Sequence, residues 1–246
     1  MTSMIHSLRG LAFLLGYPDA SMRAHLADVI EAIEAEAALP RGRRTELIRL
    51  CERLIAAPPL TAEGDYVDLF DRGRRTSLNL FEHVHGDSRD RGPAMIDLAR
   101  TYEQDGLTLG ADELPDHLSV VLEFASTRPP AQGRAFLRET AHIVRAIFTA
   151  LVERDSPYAS VLAAVLELAG EKVAAVELPA EPALDDSWAE PEAFGGCSTE
   201  GQSRPGQAQP IRIVRRRHGE EGAAEVALPA AAAMPASVAR RAPATR

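Results

Sequence analysis

Apolar residues recur with a helical period through nearly every segment before residue 172, and this pattern limits the chain to one fold class. The longest pattern runs from about Ala131 to Val152. The last one runs from Tyr158 to Leu168 and is followed by Gly170, a typical helix C-cap. No stretch sustains the alternation of apolar and polar residues that marks a strand. The sequence therefore predicts an all-α fold, a single helical bundle of about eight to ten helices with a disordered C-terminal tail.

A change in composition after residue 175 divides the chain into three regions. Residues 1–175 form the predicted helical body, and residues 176–199 form an acidic, proline-containing linker that carries the single tryptophan, Trp188. Residues 200–246 are rich in Arg, Ala and Pro and are predicted to be disordered. A functional site is therefore expected in the helical body.

Charge is distributed unevenly between these regions. The net charge of −9 divides into +4 on residues 200–246, which hold eight Arg and four Glu, and −13 on residues 1–199. An acidic body disfavours nucleic acid and favours a basic peptide or protein segment. No apolar run approaches the roughly 20 residues of a membrane-spanning helix, and the first residues lack the features of a secretory signal. We therefore expect a cytoplasmic protein with no direct membrane insertion.

The segment from Phe81 to Gly92 holds two histidines, His83 and His85, beside Glu82. Imidazole and carboxylate groups are ordinary ligands of zinc and iron. However, no helical His-x-x-x-His or Glu-x-x-His spacing supplies further ligands. The simpler interpretation is that the carboxylates pair with nearby arginines such as Arg91 and fix a loop between helices. We therefore favour structure or peptide binding here over metal binding.

A second segment lies around Pro115. On a helix that begins near this residue, Asp116 and Glu123 are seven residues apart and share a face. They lie beside an apolar stripe that contains Leu118 and Leu122. This pattern predicts an acidic strip next to an apolar one. A carboxylate near a helix N-terminus is also favourable on its own, which accounts for Asp116 without any chemistry.

Two functions of other classes remain open at this point. One is an all-helical metal-dependent hydrolase that uses His83, His85, Asp116 and His117. It is disfavoured because adjacent residues on a helix point about 100° apart, so Asp116 is poorly placed to orient His117. The other is a transcriptional or membrane adaptor that acts through the arginine-rich tail, residues 200–246.

A third segment places Tyr66, Leu69 and Phe70 at helical spacing i, i+3 and i+4. This spacing is typical of core residues, although aromatic side chains at the edge of a bundle also line grooves for a guest helix. The sequence holds no phosphate-binding glycine loop and no nucleophile elbow. The pattern as a whole indicates a binding protein rather than a catalyst.

The same segments resemble those of a known family. The matching stretches are Leu11–Pro18, Tyr66–Asp71, Ser77–Gly86, Arg89–Met95, Glu113–Leu118 and Leu122–Phe124. They are similar to the NarJ-type assembly chaperones of respiratory nitrate reductase, also known as its delta subunit. The resemblance covers about residues 5–197 and is absent from the tail.

This resemblance implies an all-helical, cytoplasmic chaperone that is not an enzyme and is absent from the finished complex. It implies binding to the apo catalytic (alpha) subunit of nitrate reductase, chiefly its N-terminal segment. Binding would keep that subunit competent for insertion of the molybdenum cofactor and for assembly. No cofactor is expected to bind tightly to this chain. The client receives the molybdenum cofactor and iron–sulfur clusters, and molybdenum cofactor delivery proteins are further expected partners.

The resemblance carries over Tyr66, Phe70, Asp116 and His117 as positions that contact the client or shape its groove. Together with the motifs above, it gives this set of predicted client-binding or groove residues: Tyr66, Phe70, Glu82, His83, His85, Asp116, His117, Leu118, Leu122 and Glu123. The apolar face of a client helix would lie in the groove, and acidic residues at its rim would select basic clients. Protonation of the three histidines near pH 6.5 would reduce the negative charge of the rim.

Overall fold

A computed structural model of the chain describes residues 3–86, 88–110 and 113–178. These residues contain ten α-helices, one π-helical turn and one 3-10 turn, and no strand, so the all-α prediction is confirmed for them. None of their helices is both long enough and apolar enough to cross a bilayer. The predicted linker beyond residue 178 and the predicted tail, residues 200–246, lie outside the described residues.

The helices follow one another with short connections. In chain order they are α1 Ile5–Leu14, α2 Ala20–Ala24, α3 Leu26–Glu36, α4 Arg41–Ala56, α5 Pro59–Tyr66, α6 Leu80–His85, α7 Arg91–Gln104, α8 Leu118–Thr127, α9 Pro130–Glu153 and α10 Ala159–Ala169. The π-helical turn spans Val67–Asp71 and the 3-10 turn spans Arg74–Thr76.

Helix α10 lies at the centre of the bundle. Its residues from Ser160 to Leu166 are buried on every side, as expected for a helix that is apolar all round. Helices α1, α4 and α9 pack against it, and α9 has the longest amphipathic pattern in the chain. The helix ends at Gly170, whose φ of 80° is the left-handed conformation that favours glycine. The C-cap predicted from the sequence is therefore confirmed.

Helix α1 also packs against α3 and α8. Its N-terminus is capped from a distance, because the Glu36 carboxylate at the end of α3 accepts hydrogen bonds from the backbone N–H groups of His6 at 3.2 Å and Ser7 at 2.7 Å. Amide groups in a first helical turn have no partner within the helix. The side chain of Glu36 supplies one and joins the two helices.

The helix start predicted near Pro115 is wrong. Residues 78–80 pair with residues 116–118 as a short antiparallel bridge, which holds the chain in an extended conformation ahead of α8. Helix α8 therefore begins three residues after the proline. Asp116 precedes the helix, and it does not share a helical face with Glu123.

Candidate functional site

A cleft of about 470 Å³ opens where the π-helical turn, the 3-10 turn and the start of α6 face the loop that precedes α8. Its apolar lining comes from Tyr66, Phe70, Leu78, Leu114 and Val120. Its acidic lining comes from Asp71, Glu82 and Glu113. Arg74, His117 and small polar side chains complete the described walls, so carboxylates outnumber guanidinium groups around an apolar floor.

The floor of the cleft is set by the π-helical turn. In this turn the Arg72 N–H donates to the carbonyl of Val67, five residues earlier, so the turn is one residue wider than an α-helical turn. Such widened turns are often found at functional sites. Here the turn brings Phe70 and Asp71 to adjoining parts of the cleft lining, one apolar and one charged.

Tyr66 and Phe70 belong to the core and also reach the cleft. Their side chains are 7% and 4% exposed, and the Tyr66 hydroxyl donates a hydrogen bond of 2.7 Å to the carbonyl of Leu15. The Phe70 ring lies 4.9 Å from the ring of Tyr66 and 5.1 Å from that of Tyr158. The interpretation of these two positions as core residues agrees with their burial, and their edges form the cleft floor.

Asp116 holds the wall of the cleft from inside the protein. Its side chain is fully buried, and its Oδ2 atom accepts a 3.0 Å hydrogen bond from the Phe81 N–H in the first turn of α6. The Asp116 carbonyl accepts a second bond of 3.0 Å, from the Leu80 N–H. The guanidinium of Arg91 lies 3.7 Å from the same carboxylate and compensates its charge. Asp116 therefore caps α6 and fixes it to the loop before α8.

Glu82 links the rim of the cleft to α7. Its carboxylate accepts hydrogen bonds from the Ser77 hydroxyl, from the Asn79 amide at 3.4 Å and from Arg91 at 3.2 Å. Burial by itself would raise the pKa of Glu82, but the hydrogen bond from Ser77 and the charge of Arg91 outweigh it and lower that pKa. Glu82 is therefore an ionised rim residue, and the pairing with Arg91 inferred from the sequence is confirmed.

His117 lines the cleft opposite the π-helical turn. Its Nδ1 atom lies 2.6 Å from the Ser119 hydroxyl oxygen. Burial lowers the pKa of His117 below its ordinary value of 6.5, although the negative charges of Asp116 and Asp71 oppose this shift. His117 therefore gains its proton below pH 6.5, and the expectation that it titrates near 6.5 is corrected.

The other two histidines lie outside the cleft lining. The Nε2 atom of His83 is 2.8 Å from the carbonyl oxygen of Ser77, and the His85 ring packs edge-on against Phe81 at 5.6 Å. Across the residues that the structure describes, no three His, Cys, Asp or Glu side chains are grouped so that they could hold a metal ion. His83, His85, Asp116 and His117, the residues of the hydrolase alternative, are therefore not grouped as metal ligands in the part of the chain that the structure describes.

Three further predicted residues lie apart from the cleft surface. Leu118 and Leu122 are fully buried in α8, where they pack into the core behind the loop. Glu123 is exposed on the same helix and is not part of the lining. Leu118 and Leu122 thus support the wall from behind.

Several residues that line the cleft are not predicted by the sequence patterns. Leu114 is 44% exposed there, and Val120, Asp71 and Asn79 also face the cavity. Leu114 is an apolar residue directly before a proline, and its spacing of four residues from Leu118 indicates a helical stripe. In the structure it precedes the bridge and is left free to face the cavity.

Because burial disfavours the imidazolium of His117, we expect a specific pH dependence of stability. Below pH 6.5 the unfolded chain binds this proton more readily than the folded chain, so stability falls between pH 6.5 and the lower folded pKa. As the pH falls from about 7.5 to about 5.5, the free energy of unfolding of His117→Asn should decrease less than that of the unchanged protein, as measured by urea titrations.

The exposed His142→Asn variant is the matched control, and it should follow the unchanged protein across this range. If H117N and H142N show the same pH dependence, burial of His117 does not limit its protonation.

Comparison with known proteins shows which family this chain belongs to. Residues 36–164 match the family model described as nitrate reductase delta subunit, and the chain belongs to that family. Among its relatives is NarJ of Escherichia coli K12, a nitrate reductase molybdenum cofactor assembly chaperone. It is 44% identical over 179 residues, which cover 71% of this chain and 75% of NarJ. The family predicted from the sequence motifs is therefore confirmed.

Two other relatives show how the matched region occurs elsewhere. NarW of the same strain, named a "probable nitrate reductase molybdenum cofactor assembly chaperone", is 37% identical over 166 residues, 68% of this chain and 69% of NarW. The nitrate reductase-like protein NarX of Mycobacterium tuberculosis H37Rv is 38% identical over 152 residues, 62% of this chain but 22% of NarX. The matched helical region is thus also found within a longer polypeptide.

Proposed function

We propose that this protein is a system-specific assembly chaperone for a respiratory nitrate reductase. It binds the apo catalytic subunit, keeps it competent for molybdenum cofactor insertion and complex assembly, and does not remain in the finished enzyme. Membership of the delta subunit family and 44% identity to a nitrate reductase molybdenum cofactor assembly chaperone support this function. The observation that carries the proposal is the apolar cleft with an acidic border.

The lining of the cleft supports the proposal that it recognises a basic, amphipathic client segment. Apolar side chains of the client would displace water from the floor at Phe70 and from the exposed side of Leu114, which contributes about 25 cal/mol per Å² of buried apolar area. The carboxylates of Asp71 and Glu113 would attract basic client residues and raise the association rate. A client segment that orders on binding loses entropy, so affinity stays moderate and release after maturation is practicable.

The finer features of the function belong to the same proposal. The client segment is the N-terminal part of the catalytic subunit, and molybdenum cofactor delivery proteins meet the complex afterwards. The cofactor and the iron–sulfur clusters are received by the client, and the chain acts in the cytoplasm. Residues 1–199, the body and linker together, carry a net charge of −13, which favours such a basic client over nucleic acid.

Neutralising the exposed rim should weaken client binding without unfolding the protein. We expect Asp71→Asn combined with Glu113→Gln to raise the Kd for a peptide of the client N-terminus about fivefold to tenfold at low salt, because two steering charges are lost. Isothermal titration calorimetry on the full chain measures this change. It should also give a negative heat-capacity change, which marks burial of apolar surface.

The matched control is Asp28→Asn combined with Glu34→Gln, which removes the same charge from exposed positions on α3, outside the cleft lining. Its Kd should equal that of the unchanged protein. If the two double variants weaken binding equally, the overall charge attracts the client and the cleft does not. If the unchanged protein does not bind the peptide at low salt, the proposed function is wrong.

A further inference from the structure

A second cleft, of about 360 Å³, lies between α4 and the C-terminal end of α9. Its walls include apolar side chains of Leu50, Phe148, Val152 and Pro157. They also include the three arginines of α4 that face it, Arg43, Arg49 and Arg53, together with Glu46. This second cleft shares no lining residue with the cleft described above, and the proposed function does not use it.

The second cleft is basic within an otherwise acidic body. The guanidinium of Arg43 is already paired, with Glu46 and, at 3.2 Å, with Glu167. Arg49 and Arg53 lie one helical turn apart on α4, are exposed, and form no ion pair within the part of the chain that the structure describes. Two positive charges beside an apolar wall that is partly exposed, with Val152 at 43%, fit a segment that is both acidic and apolar.

The chain that follows α10 runs towards this second cleft. Glu171 accepts a 3.0 Å hydrogen bond from Arg145 on α9, and five residues later the Val176 N–H donates to the Thr149 hydroxyl at 3.1 Å. Arg145, Thr149 and Val152 are at positions i, i+4 and i+7, so they share one face of α9. The path therefore follows this face of α9 in the direction of Val152, which forms part of the wall of the second cleft.

We propose that residues 179–188 of this chain occupy the second cleft. The last described residue, Leu178, is two residues beyond the contact with Thr149, which is about 4.5 Å along the helix axis from Val152. The seven residue-to-residue steps from Leu178 to Asp185 span up to about 23 Å when extended, so the segment reaches the walls without strain.

The composition of this segment matches the second cleft. Its acidic residues Glu181, Asp185 and Asp186 complement Arg49 and Arg53. Its large apolar residues, Leu184 and Trp188, complement the apolar wall, and an indole ring buries more apolar area than most side chains. The same kind of pairing is present nearby, where Glu171 forms ion pairs with Arg138 and Arg145 of α9.

Trp188 is the only tryptophan in the chain, so its fluorescence reports on this segment alone. In the full-length protein we expect its emission to be blue-shifted and less quenched by acrylamide than in a synthetic peptide of residues 179–188. Arg49→Glu combined with Arg53→Glu should shift the spectrum towards that of the peptide. The ratio of docked to undocked segment should fall about tenfold, because two attractive charge pairs become repulsive.

The matched control is Arg41→Glu combined with Arg100→Glu, which makes the same change of charge at exposed positions outside the second cleft. It should leave both emission and quenching unchanged. Asp185→Arg combined with Asp186→Arg, added to the R49E/R53E variant, should restore the protection of Trp188.

Three results would overturn the proposal: peptide-like emission in the unchanged protein, equal quenching in R49E/R53E and its control, or protection that is lost on dilution. The last result would mean that a second copy of the chain supplies the segment.

Discussion

Replacing Asp116 with alanine is expected to lower the free energy of unfolding by about 3 kcal/mol. The variant removes a fully buried carboxylate that accepts the Phe81 N–H at 3.0 Å and compensates the charge of Arg91 at 3.7 Å. The amide at the start of α6 is then left without its partner, and the guanidinium loses one of its two carboxylates. Urea denaturation of the full-length protein, followed by circular dichroism, measures the loss.

Two further variants separate the contributions. Asp116→Asn keeps an oxygen that can accept from Phe81 but removes the negative charge, so we expect a smaller loss of about 1 kcal/mol. Asp97→Ala removes an exposed carboxylate that lies 3.6 Å from Arg100 on α7, and it should cost less than about 0.5 kcal/mol. If D116A is no more destabilised than D97A, Asp116 does not anchor α6.

The same contact connects stability with the cleft. Asn79 and Glu82 lie at the end of α6 that Asp116 caps, and both line the cavity. Loss of the cap therefore loosens one wall of the cleft, although Asp116 itself does not line it. The family resemblance pointed to Asp116 and His117 together. In the structure the two residues have separate roles, because Asp116 holds the wall and His117 faces the cavity.

The sequence predicts the helices that depend on local pattern. The predicted stretches from Ala131 to Val152 and from Tyr158 to Leu168 agree with α9 and α10 to within about one residue at each end. Both have long uninterrupted apolar periods, and Gly170 ends the second one. In these stretches each residue's preference and the tertiary structure agree, so local reasoning is sufficient.

Local reasoning fails where a distant segment decides the conformation. Residues around Asp116 have a helical pattern, but the bridge to residues 78–80 holds them extended. That bridge pairs Asn79 with His117, 38 residues later in the chain, and no periodicity in the sequence indicates it. The same limit applies to the cap that Glu36 provides to α1. In both cases a distant segment supplies the hydrogen-bond partner of a backbone group, and the sequence pattern does not show which segment this is.

The candidate site was predicted in part for the same reason. Residue types and family motifs pointed to Tyr66, Phe70, Glu82 and His117, all of which line the cleft. Leu114 faces the same cavity only because the bridge removes it from the helix that its pattern suggests. The sequence pattern identifies side chains of the types that line clefts, and contacts between distant segments determine which of them reach this one.

Phe70→Ala is expected to reduce the free energy of unfolding by about 3–5 kcal/mol, the usual range for removing a buried aromatic ring. Phe70 is 4% exposed and packs between the rings of Tyr66 and Tyr158 at 4.9 and 5.1 Å. Ring pairs of this kind add to the free energy from area burial alone. Thermal or urea unfolding of the full chain tests this value. Phe70→Leu should lose less, since it keeps most of the volume.

Phe13→Ala is the matched control, because Phe13 is 37% exposed and its ring meets only that of His25, at 6.3 Å, among the described ring contacts. It should cost about 1 kcal/mol. The comparison distinguishes the two roles that the sequence left open for Phe70. A large loss of stability assigns the ring chiefly to the core. Stability equal to that of F13A, combined with loss of client binding, would instead make Phe70 a contact residue whose burial contributes little to folding.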